Sequence, residues 1–261
     1  MPRTLVAAAL SLLLLATAAA AQFTDTGQVN NEYDRTDPAL VAWASEVVEL
    51  IRGPQDYQDP SLGDASYGAP TDLLGPAGTP VSLGDGGHVT LGFPVTIVDG
   101  PGDDLVVFEN GFAWNGVYME LGFVEVSSDG VNFARLPALC RRTTQPGPWD
   151  TSDPADFYNL AGNFVGGTGI DLHDLVLAGD PLVADGTVDL AAIRYVRLVD
   201  VVGDIDGPGA TFDWLGRPVA DPYPTPGETC GMDPTGVAVL HAGAAVADDD
   251  VTWSDVKRLF R

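Results

Sequence analysis

Ile193-Arg-Tyr-Val-Arg-Leu-Val-Asp-Val-Val202 is the stretch that decides the fold class. It is short and rich in β-branched residues, and Val196, Leu198, Asp200 and Val202 share one parity, so it reads as a strand with an apolar face. Residues 88–93, 95–98, 105–109 and 121–127 read the same way. Between them lie tight-turn sequences: Gly84-Asp-Gly-Gly87, Asp99-Gly-Pro-Gly102 and the hairpin signal Ser128-Asp-Gly130. The 31 Gly and 20 Pro are spread through the whole chain and no βαβ alternation occurs, which predicts an all-β sandwich with at most one or two short helices. Pro38 and the helix formers after it mark residues 38–52 as the candidate helix. Residues 53–81 and 141–169 read as long Gly/Pro/Asp-rich connections, of the kind that carries function or wraps over a sheet.

Both ends of the chain differ from this middle. Arg3, an apolar run over residues 5–15 and Ala19-Ala-Ala21 form the pattern of an export signal, predicting removal of residues 1–21. No Cys follows the cleavage site, which disfavours lipid attachment there, and no later segment is long and apolar enough to cross a bilayer. The expected organisation is therefore one β-sandwich domain over residues 22–242, secreted or held at the cell surface. Residues 243–261 follow as an acidic linker and a short amphipathic tail bearing Trp253, Val256, Leu259 and Phe260.

The formal net charge is −25; only seven of the 37 acidic residues are Glu, and Lys257 is the only lysine. Such a chain repels phosphate backbones and anionic lipid, so nucleic acid and membrane surfaces are disfavoured partners. Asp caps turns and supplies oxygen ligands to hard cations in loops, and both uses are open here. Asp200 falls on the apolar face of its strand, as do Glu109 with Leu105 and Val107, and Glu125 with Leu121 and Phe123. A carboxylate on such a face needs a cation, a hydrogen-bond donor or a metal; cations are few, and Arg194 and Arg197 are the obvious local ones. The candidate calcium ligands are Asp99, Asp103, Asp104 and Glu109 in one loop and strand, and Asp200, Asp204, Asp206 and Asp213 in another. The second set imitates an EF-hand only in part, because Val202 stands at its first place and Asp213 at its last.

Cys140 and Cys230 form the candidate disulfide of an exported chain, closing a loop of about 90 residues that would contribute ~4 kcal/mol. No catalytic motif emerges. His88, His173 and His241 have no metal spacing, no GxSxG elbow occurs, and Gly84-Asp-Gly-Gly87 lacks the lysine of a phosphate loop. Glu109, Glu120 and Glu125 could supply the carboxylate pair of a glycoside hydrolase, as any acidic chain could. Rings stack on sugar faces, which makes Trp114, Tyr118, Trp149 and Tyr158 candidate ligand-binding residues, with Phe112 and Phe157 beside them in sequence. Closing the ends of the sandwich core is the other use for such rings.

Four segments together resemble an uncharacterised family of secreted bacterial cell-surface proteins, some with C-terminal sorting signals. They are Val81-Ser-Leu-Gly-Asp-Gly-Gly-His-Val-Thr-Leu-Gly-Phe93, Asp99-Gly-Pro-Gly-Asp-Asp-Leu-Val-Val-Phe-Glu-Asn-Gly111, residues 120–130 and Tyr195-Val-Arg-Leu-Val-Asp-Val-Val-Gly-Asp204. Leu160-Ala-Gly-Asn-Phe164 and Asp221-Pro-Tyr-Pro-Thr225 extend the likeness, which spans residues 40–240. It implies a jelly-roll-like sandwich similar to carbohydrate-binding modules, and no activity. The family's closing strand usually reads Phe-Asp-Leu-Asp-Ala-Val; here Met232-Asp-Pro-Thr-Gly-Val237 keeps Asp233 and replaces the second acid with Thr235. The expected function is a calcium-stabilised, non-catalytic surface module for glycan or another extracellular ligand, with a structural or adhesive envelope protein as the alternative.

Overall fold

The computed structural model describes residues 23–246. Its strands, in chain order, are β1 (Glu32–Tyr33), β2 (Ala42–Trp43), β3 (Glu46–Ile51), β4 (His88–Ile97), β5 (Leu105–Glu109), β6 (Phe112–Ala113), β7 (Val117–Tyr118) and β8 (Gly122–Ser127). Then follow β9 (Ala134–Arg135), β10 (Leu139–Cys140), β11 (Phe157–Tyr158), β12 (Leu160–Ala161), β13 (Gly167–Ile170), β14 (Ile193–Asp200), β15 (Pro234–Val239) and β16 (Ala242–Ala245). Two short helices, α1 (His173–Ala178) and α2 (Pro181–Ala184), lie between β13 and β14. Among the described residues no helix is long and apolar enough to cross a membrane.

Two antiparallel sheets carry the all-β sandwich. One has the order β1-β13-β5-β15-β2, and the other β12-β8-β14-β4-β16, with β3 also on β4 and β9 on β8. Strand parity sorts the side chains as the period of two demands. Leu105 and Val107, Val237 and Val239, Val124 and Val126, Val196 and Leu198, and Val89 and Leu91 meet in the core between the sheets. The opposite parity fills smaller clusters on the outer faces: Leu121 and Phe123 under the 138–160 and 201–220 loops, and Val106 and Phe108 beneath Tyr33 and Trp43.

Segment 38–52 is not a helix; it forms β2 and β3. In β3 the register against β4 shifts between Val47 and Glu49, so the inward-packed residues Val47 and Leu50 fall three apart. A bulge has turned a strand's spacing into a helix's. The two expected strands at 88–93 and 95–98 are one, β4, which runs through Pro94. Pro94 is exposed and sits where the neighbour changes, from β3 along His88–Gly92 to β16 at Val95 and Ile97, so no ladder bond is lost for want of its N–H. Ala242–Ala245, expected to begin a linker, is that edge strand; residues 1–22 and 247–261, which include the export signal and the amphipathic tail, lie outside the described residues.

The expected disulfide is absent, and Cys140 and Cys230 are both buried free thiols. Cys140 Sγ packs by Ala220 in the outer cluster, accepting from its N–H at 3.5 Å, whereas Cys230 Sγ faces the carbonyl of Pro54 at 3.9 Å. The two occupy different neighbourhoods.

Candidate functional site

The ends of four strands deliver carboxylates to the same end of the sandwich. Glu109 ends β5, and the antiparallel register Glu109↔Pro234 places Asp233, just before β15, at its side. Asp200 ends β14 opposite Gly122, and two residues before Gly122, on the parity of Val124 and Val126, stands Glu120. Asp221 and Asp85 reach this end from loops. Glu109, Glu120, Asp200, Asp221 and Asp233 are all buried.

The partners of these acids are unequal. Asp200 accepts N–H bonds from Gly86 at 2.9 Å and Met232 at 2.6 Å. Gly231 makes the second approach possible: its φ is 68°, and a Cβ there would lie 2.7 Å from Asp200 Oδ1. Asp221 accepts from Leu121 N at 3.2 Å, Asp85 from Tyr57 N at 2.8 Å, and Glu120 from the Tyr118 hydroxyl at 3.4 Å. Glu109 Oε2 and Asp233 Oδ1, both shut off from solvent, have no hydrogen-bond partner. Arg52, whose charge acts on Asp233, is engaged by the carbonyls of Tyr67, Ser82 and Gly68 at 2.8, 2.6 and 2.6 Å.

Burial is the first cause of the acidity changes at this end. It pushes Glu109 well above the usual carboxylate range, with the Asp233 charge adding to it and backbone N–H groups opposing. It does the same to Glu120, reinforced by the charges of Glu109, Asp233, Asp221 and Asp200, and to Asp221, reinforced by Asp200. Asp200 is raised to about 8 and Asp233 to about 6, the latter eased by Ser82 and Arg52. Such a group of acids keeps protons or takes a cation.

Beside the acids runs a cleft of about 540 Å³ whose wall is a stack of three rings. The β6–β7 pairing sets Phe112 against Tyr118, with centroids 4.9 Å apart and planes 19° apart. Trp149, carried by the long 141–156 loop, covers the other face of Tyr118 at 5.7 Å and 29°. Trp149 is 77% exposed, too open to be closing a core. Glu120 and Asp233 line the same cleft. A second cleft, of about 600 Å³, lies across Asn110 and reaches Glu109, Arg35 and Phe108.

The sequence candidates divide accordingly. Tyr118 and Trp149 come together; Trp114 stands apart on the β6–β7 turn, and Tyr158 stacks on Phe23 at 6.2 Å elsewhere. Glu109 and Asp200 share the acidic end, but Asp99, Asp103 and Asp104 lie at the far end of β5, roughly 16 Å away by strand rise. There Asp99 and Asp104 join Asp171, the one trio among the described residues whose ligand atoms fall within 4.8 Å of one another. Asp104 is already satisfied by Gly100 N, His241 Nδ1 and Leu172 N at 2.7, 2.8 and 2.8 Å, and Asp99 by His173 Nδ1 at 3.3 Å. Asp103 binds Asn31 Nδ2 and the Tyr33 hydroxyl.

In the 204–213 loop Asp204 accepts from the Tyr57 hydroxyl at 2.6 Å, Asp206 is exposed, and Asp213 is enclosed by Cys140 N, Leu215 N, Arg217 N and Arg217 Nε. These three do not converge. Glu125 is ion-paired with Arg135 at 2.8 Å and Arg197 at 3.5 Å. Glu120, Asp221, Asp233, Asp85 and Asp171 were not among the cation-ligand candidates that the sequence pattern marked. For Glu120 the signal was present, since it extends its strand's inward parity one step past the strand end; at Asp233 the irregularity between Pro234 and Gly236 breaks the period.

No protein-family model matches the chain, and no curated protein and no solved structure is similar to it.

Proposed function

We propose that the protein is an exported, calcium-stabilised surface module without catalytic activity, whose aromatic cleft binds an extracellular glycan. The stack of Phe112, Tyr118 and Trp149 beside Glu120 and Asp233 carries this reading. Flat apolar faces suit the C–H faces of a pyranose, and carboxylates at the base accept hydrogen bonds from its hydroxyls. Titrating the protein with an array of neutral oligosaccharides while following tryptophan fluorescence tests it. At least one saccharide is expected to bind, and Trp149→Ala to weaken it at least tenfold, a loss of about 1.4 kcal/mol. Absence of binding across the array, or an unaffected Trp149→Ala variant, would leave the structural envelope role instead.

The raised pKa of Glu120 on the cleft wall, caused first by burial, favours one second reading, a glycoside hydrolase with Glu120 as acid and Asp233 as its partner. Release of reducing ends that Glu120→Gln abolishes would establish it.

A further inference from the structure

We propose that the glycan taken by the aromatic cleft is an amino sugar whose free, protonated amine sits against Glu120 and Asp233. The proposal rests on the glycan reading above and names the class of sugar.

What the cleft lacks points to its ligand. Its lining joins the three rings to Glu120 and Asp233, and among the described residues no Arg, Lys or His belongs to it. Elsewhere the chain covers its rings with its own cations: a guanidinium lies over Phe108 (Arg35, 4.3 Å), Phe123 (Arg135, 4.4 Å) and Phe133 (Arg197, 3.6 Å). Among the described residues none lies over Phe112, Tyr118 or Trp149, although Trp149 is open to solvent and indole is the ring that attracts a cation most strongly.

The two acids are unequally provided. Ser82 and the Arg52 charge ease Asp233. Among the described residues Glu120 accepts one hydrogen bond, the long one from the Tyr118 hydroxyl at 3.4 Å, and the charges of Glu109, Asp233, Asp221 and Asp200 all bear on it. Burial and those charges hold its proton, and a cation in the cleft lets it ionise. Tyr118 is the middle ring of the stack, so the bond from its hydroxyl sets Glu120 at the edge of the ring wall. An amine hydrogen-bonded to Glu120 stands beside that wall, and the pyranose that carries it can lay its C–H face on Trp149. A neutral sugar leaves the carboxylates unanswered, and a carboxylated or sulfated one is repelled by them and by the net charge of −25. The same field draws a cationic chain in.

The experiment is calorimetric titration of the full chain with glucosamine, N-acetylglucosamine and glucose oligomers of equal length, in mildly acid buffer where the amine keeps its proton. The glucosamine oligomer is expected to bind at least about tenfold more tightly than the other two, and added salt to erase most of that preference while the neutral oligomers hold their affinity. Glu120→Gln, which keeps an oxygen for the Tyr118 hydroxyl, and Asp233→Asn should each cut the preference sharply. Trp149→Ala should weaken all three oligomers alike, and Asp171→Asn, at the far end of the sandwich, should leave all three as they are. Lysine, an amine without a sugar ring, should not compete. A preference that survives both acid variants, or lysine that competes as well as the amino sugar, would overturn the proposal. A neutral oligomer that binds as tightly as the glucosamine oligomer would overturn it and leave the glycan reading standing, whereas no binding by any of the three would remove both.

Discussion

At the scale of single residues, the same side-chain type does opposite things within one chain. Asp213 and Asp233 are both buried aspartates, the first in the loop after β14 and the second just before β15. Asp213 is saturated: three backbone N–H groups and Arg217 Nε at 2.7 Å hold it, and Arg217 also reaches Asp25 at 2.9 Å. Removing an acceptor that four donors share strands those donors, so Asp213→Ala is expected to cost about 3 kcal/mol. Urea unfolding should show that loss equally in calcium and in chelator; a loss below 1 kcal/mol, or one that appears only with calcium, would return Asp213 to the list of cation ligands. The sequence marked Asp213 as a cation-ligand candidate and Asp233 only as the acid kept in a family-like closing strand. Spacing places Asp213 at the last position of an incomplete EF-hand, but its true partners lie at Cys140 and Arg217, the first of them a long-range contact that no local pattern encodes. Parity, a strictly local rule, did better, because it predicted inward-facing Asp200 and Glu109 correctly.

At the scale of elements, the strands legible in the sequence were those whose partners impose an unbroken period of two. β5 and β14 run without interruption along most of their length; the bounds of β5 were visible from the residues alone, and β14 starts where expected but ends at Asp200, two residues short of Val202. β3 was not, because its bulge sets Val47 and Leu50 at the spacing of a helix face. β4 was read as two strands, because a proline normally ends one. Its continuity through Pro94 has a measurable consequence. Pro94 stands at the junction between β3 and β16, where the ladder with β14 is also interrupted, between the pairs Tyr195↔Gly92 and Ile193↔Ile97. Pro94→Ala should therefore change stability by less than about 1 kcal/mol, chiefly through the freedom it gives the unfolded chain. Thr90→Pro, four residues earlier in the paired part of the same strand, should cost about 3 kcal/mol or more. Chemical denaturation of the two variants side by side checks this, and equal losses would mean that β4 is paired evenly along its length.

At the scale of the whole molecule, a net charge of −25 suggests a uniformly acidic surface, but part of that charge is gathered and buried at both ends of the sandwich. Composition could not reveal this, because it depends on which strand ends coincide once the sheets are stacked. The burial sets the response to pH. At one end burial raises Asp200 to about 8 against the pull of its two N–H donors. At the other, burial and then the charges of Asp174, Asp104 and Asp99 raise Asp171 to about 6 against the His173 N–H. In the unfolded chain these groups lose their protons near pH 4. Between that pH and the folded value the folded chain binds more protons than the unfolded one, so stability present below pH 4 is lost as the pH rises. Asp25 acts in the other sense: burial would raise it, but Arg141 and Arg217 prevail and lower it, so its contribution is lost only in more acid solution. With chelator present, Tm should thus be highest near pH 5 and fall towards pH 8. Asp171→Asn, whose amide oxygen can still accept from His173 N, should flatten the profile between pH 4 and 6 and leave its slope between pH 6 and 8 unchanged. Thermal scans in a series of buffers decide the matter: a Tm that is level or rising from pH 5 to 8 would mean that these acids are ionised, and compensated, in the folded chain.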